Sequence, residues 1–528
     1  MPRPINETTY DFPTLRRNGC VYVDKTRAFH ALITDAGGNN LFFVSRPRRF
    51  GKSLMLSTLK AIFQGRRELF EGLAIAKTDY DWSDVYPVLH FSFGTMDVSS
   101  LEAFEAELVA RLEKSFAEVD LAYDRASLPS VNFGRALDTL AARHGKPVVV
   151  LIDEYDAPVG HAIADPDKAE AIRDRMAAFY GQLKENVANI RFLMMTGVTK
   201  FTQLSVFSAL NNLCDLTLAR QAAHLLGYTQ QELENNFGEH LRAHAEAMGL
   251  GYGDYLARFK HWYDGYRFSP YVRESVYNPV AVAKTLVAKN PYFGATWSQT
   301  GRPSVLMNFL RGTSLDEVDY EAIPGQPESV FDTCDLRAIP PVTLLTQAGY
   351  LTIKDFDPNF GYTLGVPNEE VRRDLNALLI QSLRRPETGA LVVAVRAALA
   401  REDFPGFLDA LKAYYAGFTY GPREDKIHEA NYQRLLAVLL SASGLDVTTE
   451  ATQAAGRADV VAEALGQVYL FELKVGGTAR DALAQIHARD YAAPYRAQGR
   501  AIHLFGLAFD PATRRLVDAQ AEGAAFGR

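Results

Sequence analysis

The sequence predicts an α/β protein: a parallel sheet covered by helices, then a mostly helical segment, then a second, smaller α/β unit. Three observations carry this. From about Tyr22 to Leu218, short β-branched and aromatic runs alternate with longer amphipathic stretches, the pattern of strands joined by crossover helices. From about Ala222 to Pro367 the pattern turns mostly helical, and after Pro422 strands and helices alternate again. The length of 528 residues, 48% hydrophobic and 23% charged, suits a globular chain of about three domains.

Taken in order, the expected strands of the first unit are Leu41 to Ser45, Val88 to Ser92, Val148 to Ile152 and Ile190 to Met195. Amphipathic helices such as Ser53 to Phe63 and Leu101 to Ala117 lie between them. The helical segment ends in "LLTQAGYLTI" and "YTLGVPNEEV", two apolar runs around the turn "KDFDPNFG". This hairpin reads either as the wing of a winged-helix-like module or as a hairpin that merely packs on its helices. Helices continue to about Tyr420. The last unit is expected to run through a helix from Lys426 to Ser441 and strands near Val447 to Glu450, Ala458 to Glu463 and Val468 to Leu473. A helix from Thr478 to Ala493 and a strand from Ala501 to Ala508 close it. The domain limits that follow are 1–221, 222–368, 369–421 as a helical linker, and 422–528.

A net charge of -7 and a pI near 5.9 exclude a protein coated in basic patches, while leaving room for one locally basic groove. The three cysteines, Cys20, Cys214 and Cys334, are far apart and form no CxxC pair, so neither a zinc site nor a disulfide framework is indicated. The N-terminus lacks an apolar signal region, and no run of roughly 18 apolar residues occurs. A soluble, cytoplasmic protein without membrane association is expected.

The stretch "RPRRFGKSL", Arg46 to Leu54, follows a buried strand and opens a helix, the context a phosphate-binding loop needs. Backbone N–H groups at the helix start attract anions, and Gly51 allows close approach of the backbone. Lys52 would reach the β- and γ-phosphates of ATP, and the Ser53 hydroxyl would take a place on Mg²⁺. Where such a loop usually begins with glycine, this one has Arg46. Pro47 sets its own φ and pushes Arg46 toward extended angles, so the pair can form a stiff start to the loop. Arg46, Arg48 and Arg49 either add positive charge beside the phosphates or pair with carboxylates elsewhere; Phe50 completes the loop.

The second half of the site is "KPVVVLIDEYD", an apolar strand with Asp153 and Glu154 at its carboxyl end, where ligands bind in open α/β sheets. Asp153 would hold Mg²⁺ and Glu154 would polarise a water for attack on the γ-phosphate. The bland alternative for "DEYD" is a helix cap. Thr196, at the end of "IRFLMMTG" with Thr199 and Lys200 just beyond, is the candidate sensor of the γ-phosphate, or else a simple strand-end hydroxyl.

Near the C-terminus, "GRADVVAEALGQVYLFELKV" carries Asp459 on one strand and Glu472 and Lys474 on the next. A strand period of two puts Glu472 and Lys474 on one face, with Phe471, Leu473 and Val475 on the other. Two carboxylates and a lysine converging across a hairpin suit metal-dependent phosphodiester hydrolysis. Asp459 and Glu472 would hold Mg²⁺, and Lys474 would position the attacking water or offset charge on the phosphate. Glu429 in the preceding helix could complete the metal shell, and Gln485 and Tyr491 follow on the next helix. The competing reading is a polar hairpin face with a Glu–Lys pair.

With both sites in place, the chain resembles the bacterial and archaeal family of predicted AAA-ATPase-like proteins that carry a C-terminal PD-(D/E)xK nuclease domain. The resemblance covers nearly the whole length and rests on "DFPTLRRNGCVYVDKT", "SRPRRFGKSLMLSTL", "VVVLIDEYDAPV", "FSALNNLCDLTL", "WYDGYRF", "YNPVAV", "QAGYLTI", "GRADVVAEALGQVYLFELKV" and "ALAQIHARDYAAPY". In that family "RPRRFGKS" is the usual loop, so Arg46 is a shared trait. The resemblance implies a P-loop NTPase domain of AAA or STAND type, a helical and winged-helix segment, and a restriction-endonuclease-like domain. It carries over Gly51, Lys52, Ser53, Asp153 and Glu154 for nucleotide, and Asp459, Glu472 and Lys474 for the nuclease. "WYDGYRF" either touches ligand or packs in the core. The expected function is an ATP-binding, ATP-hydrolysing switch coupled to a Mg²⁺-dependent nuclease in a defence, mobile-element or repair setting. Nucleic acid is the expected partner, DNA ahead of RNA, with room for a homo-oligomer through the ATPase domain. The alternative is a regulatory NTPase whose last domain binds nucleic acid or protein without cleaving.

Overall fold

The structure is a computed structural model that describes residues 2–7, 9–34, 40–200, 213–288, 291–295, 320–332, 339–382, 388–417, 429–453, 456–464, 466–496 and 498–523. "FSALNNLCDLTL" lies partly outside these residues, as do Cys334 and the expected helix start at Lys426. Two compact units emerge, one from the described residues through 295 together with Tyr320–Glu369, the other from Glu370 onward.

The first unit is built on a five-stranded sheet of β1 (Leu41–Ser45), β2 (Val88–Ser92), β3 (Val148–Asp153), β4 (Ile190–Gly197) and β5 (Cys214–Asp215). Its order is β2-β3-β4-β1-β5, and every pair is parallel. Parallel strands covered on both faces read as unbroken apolar runs, and β1 and β3 are buried at every position. The helices Leu101–Ala117, Pro129–His144 and Pro166–Glu185 share one core with the sheet, in which Phe133 stacks on Phe179 at 4.5 Å and both meet Phe91 edge-on. Because β4 lies between β1 and β3, the carboxyl ends of all three open on the same edge, where a ligand crevice belongs.

After the sheet come the helices Gln230–Ala247, Tyr252–Tyr263 and Pro279–Val287. The first begins with a reciprocal cap between Thr229 and Glu232, and all three close over a core that also takes in Val21 and Val23. A helix at Pro341–Ala348 then leads into a three-stranded antiparallel sheet of β6 (Ile323–Gln326), β7 (Thr352–Asp357) and β8 (Gly361–Gly365), ordered β6-β8-β7. The expected hairpin is therefore present. Its partner β6 was illegible because "IPGQ" carries proline and glycine.

The second unit holds a sheet of β9 (Asp446–Gln453), β10 (Gly456–Ala464), β11 (Gln467–Val475), β12 (Ala501–Phe509) and β13 (Leu516–Glu522), in the order β13-β12-β11-β10-β9. Only β11 and β12 run parallel, joined by the crossover helix Ala479–Arg489. That helix is shorter than the sequence suggests, because Asp490 adopts a left-handed φ of 48° and caps it. The helices Glu369–Ser382, Thr388–Ala400, Phe404–Ala416 and Glu429–Ala442 belong here too. Residues expected to be a linker thus supply part of this unit's core: Phe407 meets Phe471 and Phe505, and Tyr415 meets Tyr432 and Phe509. β13, "LVDAQAE", escaped notice as a short, largely polar edge strand.

Candidate functional site

The phosphate loop leaves β1 at Ser45 and enters the helix Lys52–Phe63 through Gly51, whose φ of 94° is open to glycine at little cost. Nothing crowds the place of a Cβ there, so it is the backbone angle that selects glycine. Among the described residues no side chain caps this helix, so its first N–H groups are available to an anion. Lys52 is 5% exposed and folds back over the loop, donating to the carbonyls of Arg46 at 2.8 Å and Pro47 at 2.9 Å. Two of its three N–H groups are thereby committed to holding the ammonium in place, and one remains for a phosphate oxygen. Burial lowers the pKa of Lys52, against the pull of Asp153 and Glu154.

Arg46 stands where such a loop usually begins with glycine, and its guanidinium is turned into the protein interior. The side chain is 1% exposed and donates to the carbonyls of Ser45 (2.8 Å), Thr217 (2.7 Å) and Ala222 (2.9 Å) while lying 4.2 Å from the Phe268 ring centre. It staples the loop to the chain beyond β5 instead of offering charge to a ligand. Pro47, Arg48, Arg49 and Phe50 complete the loop; Arg49 takes a left-handed φ of 71°, and Phe50 is buried. Ser53 and Leu54 follow in the first helical turn. Beside it lies a mostly apolar cavity of about 100 Å³, bordered by Tyr10, Val23, Gly51, Leu54, Tyr228 and Val280.

Across the crevice, Asp153 is buried and accepts a 2.6 Å hydrogen bond from the Thr196 hydroxyl on the adjacent strand. The two residues are brought together by the parallel pairing of β3 with β4. Glu154 adopts a φ of 53°, and its carboxylate lies against Gly94, where any Cβ would collide with it. Burial and the neighbouring Asp153 raise its pKa, which favours a proton-accepting role. Sequence reasoning passed over Asp156. This buried carboxylate accepts the amides of Val198 (3.1 Å) and Thr199 (2.6 Å), and Tyr155 donates to the Thr199 carbonyl at 3.0 Å. Lys200 pairs with Asp215 and Asp332, each at 3.0 Å. The end of β4 is therefore clamped by the strand that carries the acidic pair.

In the second unit, the β10–β11 ladder runs from Ala464 opposite Gln467 to Val460 opposite Phe471. Beyond it Asp459 takes the next place with its side chain, accepting the Leu473 amide at 2.8 Å. Glu472 is 1% exposed; one oxygen accepts from Lys474 at 3.2 Å and from Gln485 of the helix Ala479–Arg489. Its other oxygen is buried with no hydrogen-bond partner among the described residues. Burial, then Asp459, push the Glu472 pKa up to about 7, and Lys474 opposes them. That buried, half-satisfied carboxylate beside a second acid is a donor set that fits a hard divalent cation. Glu429 heads the helix Glu429–Ala442 and adds to the negative field on Glu472. Among the described residues no three acidic, histidine or cysteine side chains are gathered to hold a metal. Tyr491 sits in the apolar cluster with Leu483 and Ile486, away from any such role.

Comparison with known proteins gives two family matches. Residues 7–207 match the family described as predicted AAA-ATPase, and residues 427–519 match the PD-(D/E)XK nuclease superfamily. A protein of Azotobacter chroococcum mcd 1, described as uncharacterized and encoded in the vnfD 5′ region, is 34% identical over 513 residues, which covers 94% of each chain.

Proposed function

The chain belongs to the AAA-ATPase-like family with a C-terminal PD-(D/E)XK nuclease superfamily domain, and from this premise we propose that it binds and hydrolyses ATP at one site and cleaves nucleic acid at the other. The observation that carries the nuclease half is Glu472, buried beside Asp459 and Lys474 with one oxygen lacking a partner among the described residues. In support of the ATP half stands Lys52, held by its own loop with one donor to spare, in the crevice that also receives Asp153 and Thr196.

At the nucleotide site, the loop amides and Lys52 would bind the phosphates, Ser53 and Asp153 would hold Mg²⁺, and the apolar cavity would take the base. Thr196 orients Asp153, and Glu154 would accept the proton of the attacking water. At the nuclease site Asp459 and Glu472 would hold Mg²⁺, Gln485 orients Glu472, and Lys474 would stabilise charge on the phosphate. When bound, the metal would offset phosphate charge and ease deprotonation of water. DNA is the favoured substrate over RNA, and ATP occupancy would govern cleavage.

The test is cleavage of plasmid DNA, single-stranded DNA and RNA by the full chain with Mg²⁺ or Mn²⁺, with and without ATP, beside Lys52→Ala and Asp459→Ala. Lys52→Ala is expected to weaken ATP binding roughly 10- to 100-fold, the worth of charged hydrogen bonds. Asp459→Ala is expected to lower cleavage at least about 100-fold while leaving ATP binding in place. Absence of cutting on every substrate, with ATP still hydrolysed, would instead favour a regulatory NTPase whose last domain only binds.

A further inference from the structure

The phosphate loop is held from outside by residues more than two hundred positions down the chain, in the two sequence stretches that the ATP and nuclease readings leave unused. Asn278, of "YNPVAV", is 1% exposed and donates its side-chain N–H to the carbonyl of Arg48 at 3.3 Å. Its side-chain oxygen meanwhile accepts the amides of Val280 (2.9 Å) and Ala281 (3.1 Å), capping the helix Pro279–Val287. Because those amides can only donate, the amide orientation is determined, and its NH₂ must face the loop. Further along the loop, the carbonyl of Phe50 accepts the Gly227 amide at 3.4 Å. Gly227 has a φ of 82° and no room for a Cβ beside Val276, so this approach is one that glycine permits.

The side chains repeat the arrangement. Phe50 meets Tyr266 and Phe268 of "WYDGYRF" edge-on, with ring centres 4.8 and 5.0 Å away. Phe268 lies in turn under the Arg46 guanidinium. Tyr266 and Arg267 are themselves anchored, through the Gly349 carbonyl at 3.2 Å and the Thr352 hydroxyl at 2.8 Å, to the start of the β7–β8 hairpin. Pro279, Val280 and Ala283 of the helix that Asn278 caps also border the cavity beside Gly51 and Leu54.

We infer that Asn278, with Tyr266 and Phe268, positions the phosphate loop, so that the segment from Gly227 to Ala283 is the outer wall of the nucleotide site. The physical reason is the loop's composition. Gly51 is its one glycine, and a loop with an arginine and a proline at its start is kept in an anion-binding shape by outside contacts at Arg46, Arg48 and Phe50. "WYDGYRF" is thus part of the site through the loop it holds, and "YNPVAV" both through Asn278 and through Pro279 and Val280 at the cavity wall. This inference rests on the ATP reading above.

The experiment measures ATP affinity, KM, kcat and melting temperature of the full chain for Asn278→Ser, Phe268→Leu, their combination and Lys52→Ala. Serine still caps a helix and is too short to reach Arg48, so Asn278→Ser should melt like the wild type. It should nonetheless bind ATP about three- to tenfold more weakly, the worth of one hydrogen bond, with KM raised more than kcat is lowered. Phe268→Leu should weaken binding similarly, and the combination should cost less than the product of the two, since both act through one loop. Wild-type affinity in Asn278→Ser, or weakening that merely tracks a fall in melting temperature, overturns the inference. If the wild type itself binds no ATP, the reading of the site falls and the inference with it. ATP binding lost in Lys52→Ala and intact in Asn278→Ser rejects the inference alone.

Discussion

Arg46 shows how one side chain can replace the freedom that glycine gives a phosphate loop. Its fork reaches the carbonyls of Ser45, Thr217 and Ala222, the last of which also accepts the Leu225 amide at 3.2 Å. Arg46→Gly, which installs the residue such loops usually begin with, is expected to destabilise the fold by roughly 2 kcal/mol or more, at about 1–3 kcal/mol for each of the Ser45 and Thr217 carbonyls, and to weaken ATP binding. Chemical denaturation checks this, and an unchanged midpoint would sink it. Asp156 carries a pH signature. Burial lifts its carboxyl to about 6 even though the amides of Thr199 and Val198 favour the charged form. The folded chain therefore holds this proton more tightly than the unfolded chain, so stability falls as pH rises from about 4 to about 6 and the loss is complete above that. Asp156→Asn cannot titrate there. Its melting midpoint should gain on the wild type across that window and hold a constant lead above it, whereas a lead constant from about pH 4.5 to 7.5 would mean that Asp156 is ionised throughout.

At the scale of elements, both sites are made where a backbone ladder stops and the neighbouring strand supplies the missing partner. β3 delivers Asp153 to the Thr196 hydroxyl of β4, and β10 leaves the ladder so that Asp459 can take the amide of Leu473. The crossover helix Ala479–Arg489 contributes Gln485, which orients Glu472 from outside the sheet. Such partners commonly matter by 10- to 100-fold in metal affinity, so Gln485→Ala should shift the midpoint of a Mn²⁺ titration upward by about that factor. A midpoint that stays put would show that β11 alone orients the acid. The helix Phe404–Ala416 contributes Phe407, which packs on Phe471 of β11, the neighbour of Glu472 in sequence, and on Phe505 of β12.

Across the whole molecule, each compact unit carries one candidate site, Lys52 with Asp153 in the first and Asp459 with Glu472 in the second. The matched families coincide with that partition, the AAA-ATPase-like stretch in the first unit and the nuclease stretch in the second. Among the described residues no helix is long and apolar enough to cross a membrane. By itself the sequence determined the strands β1 to β4, the acid at the end of β3, Asp459 within β10 and the Glu–Lys pair of β11, because period and position along a strand are local properties. The tertiary structure alone decided that the Arg46 side chain turns inward to the carbonyls of Thr217 and Ala222, that Asp156 holds the amides just beyond β4, and that Asn278, Tyr266 and Phe268 meet the loop. Those roles depend on contacts between residues up to about 230 positions apart. Spacing along the chain records nothing of such contacts, since they arise only when burial brings distant segments to one place.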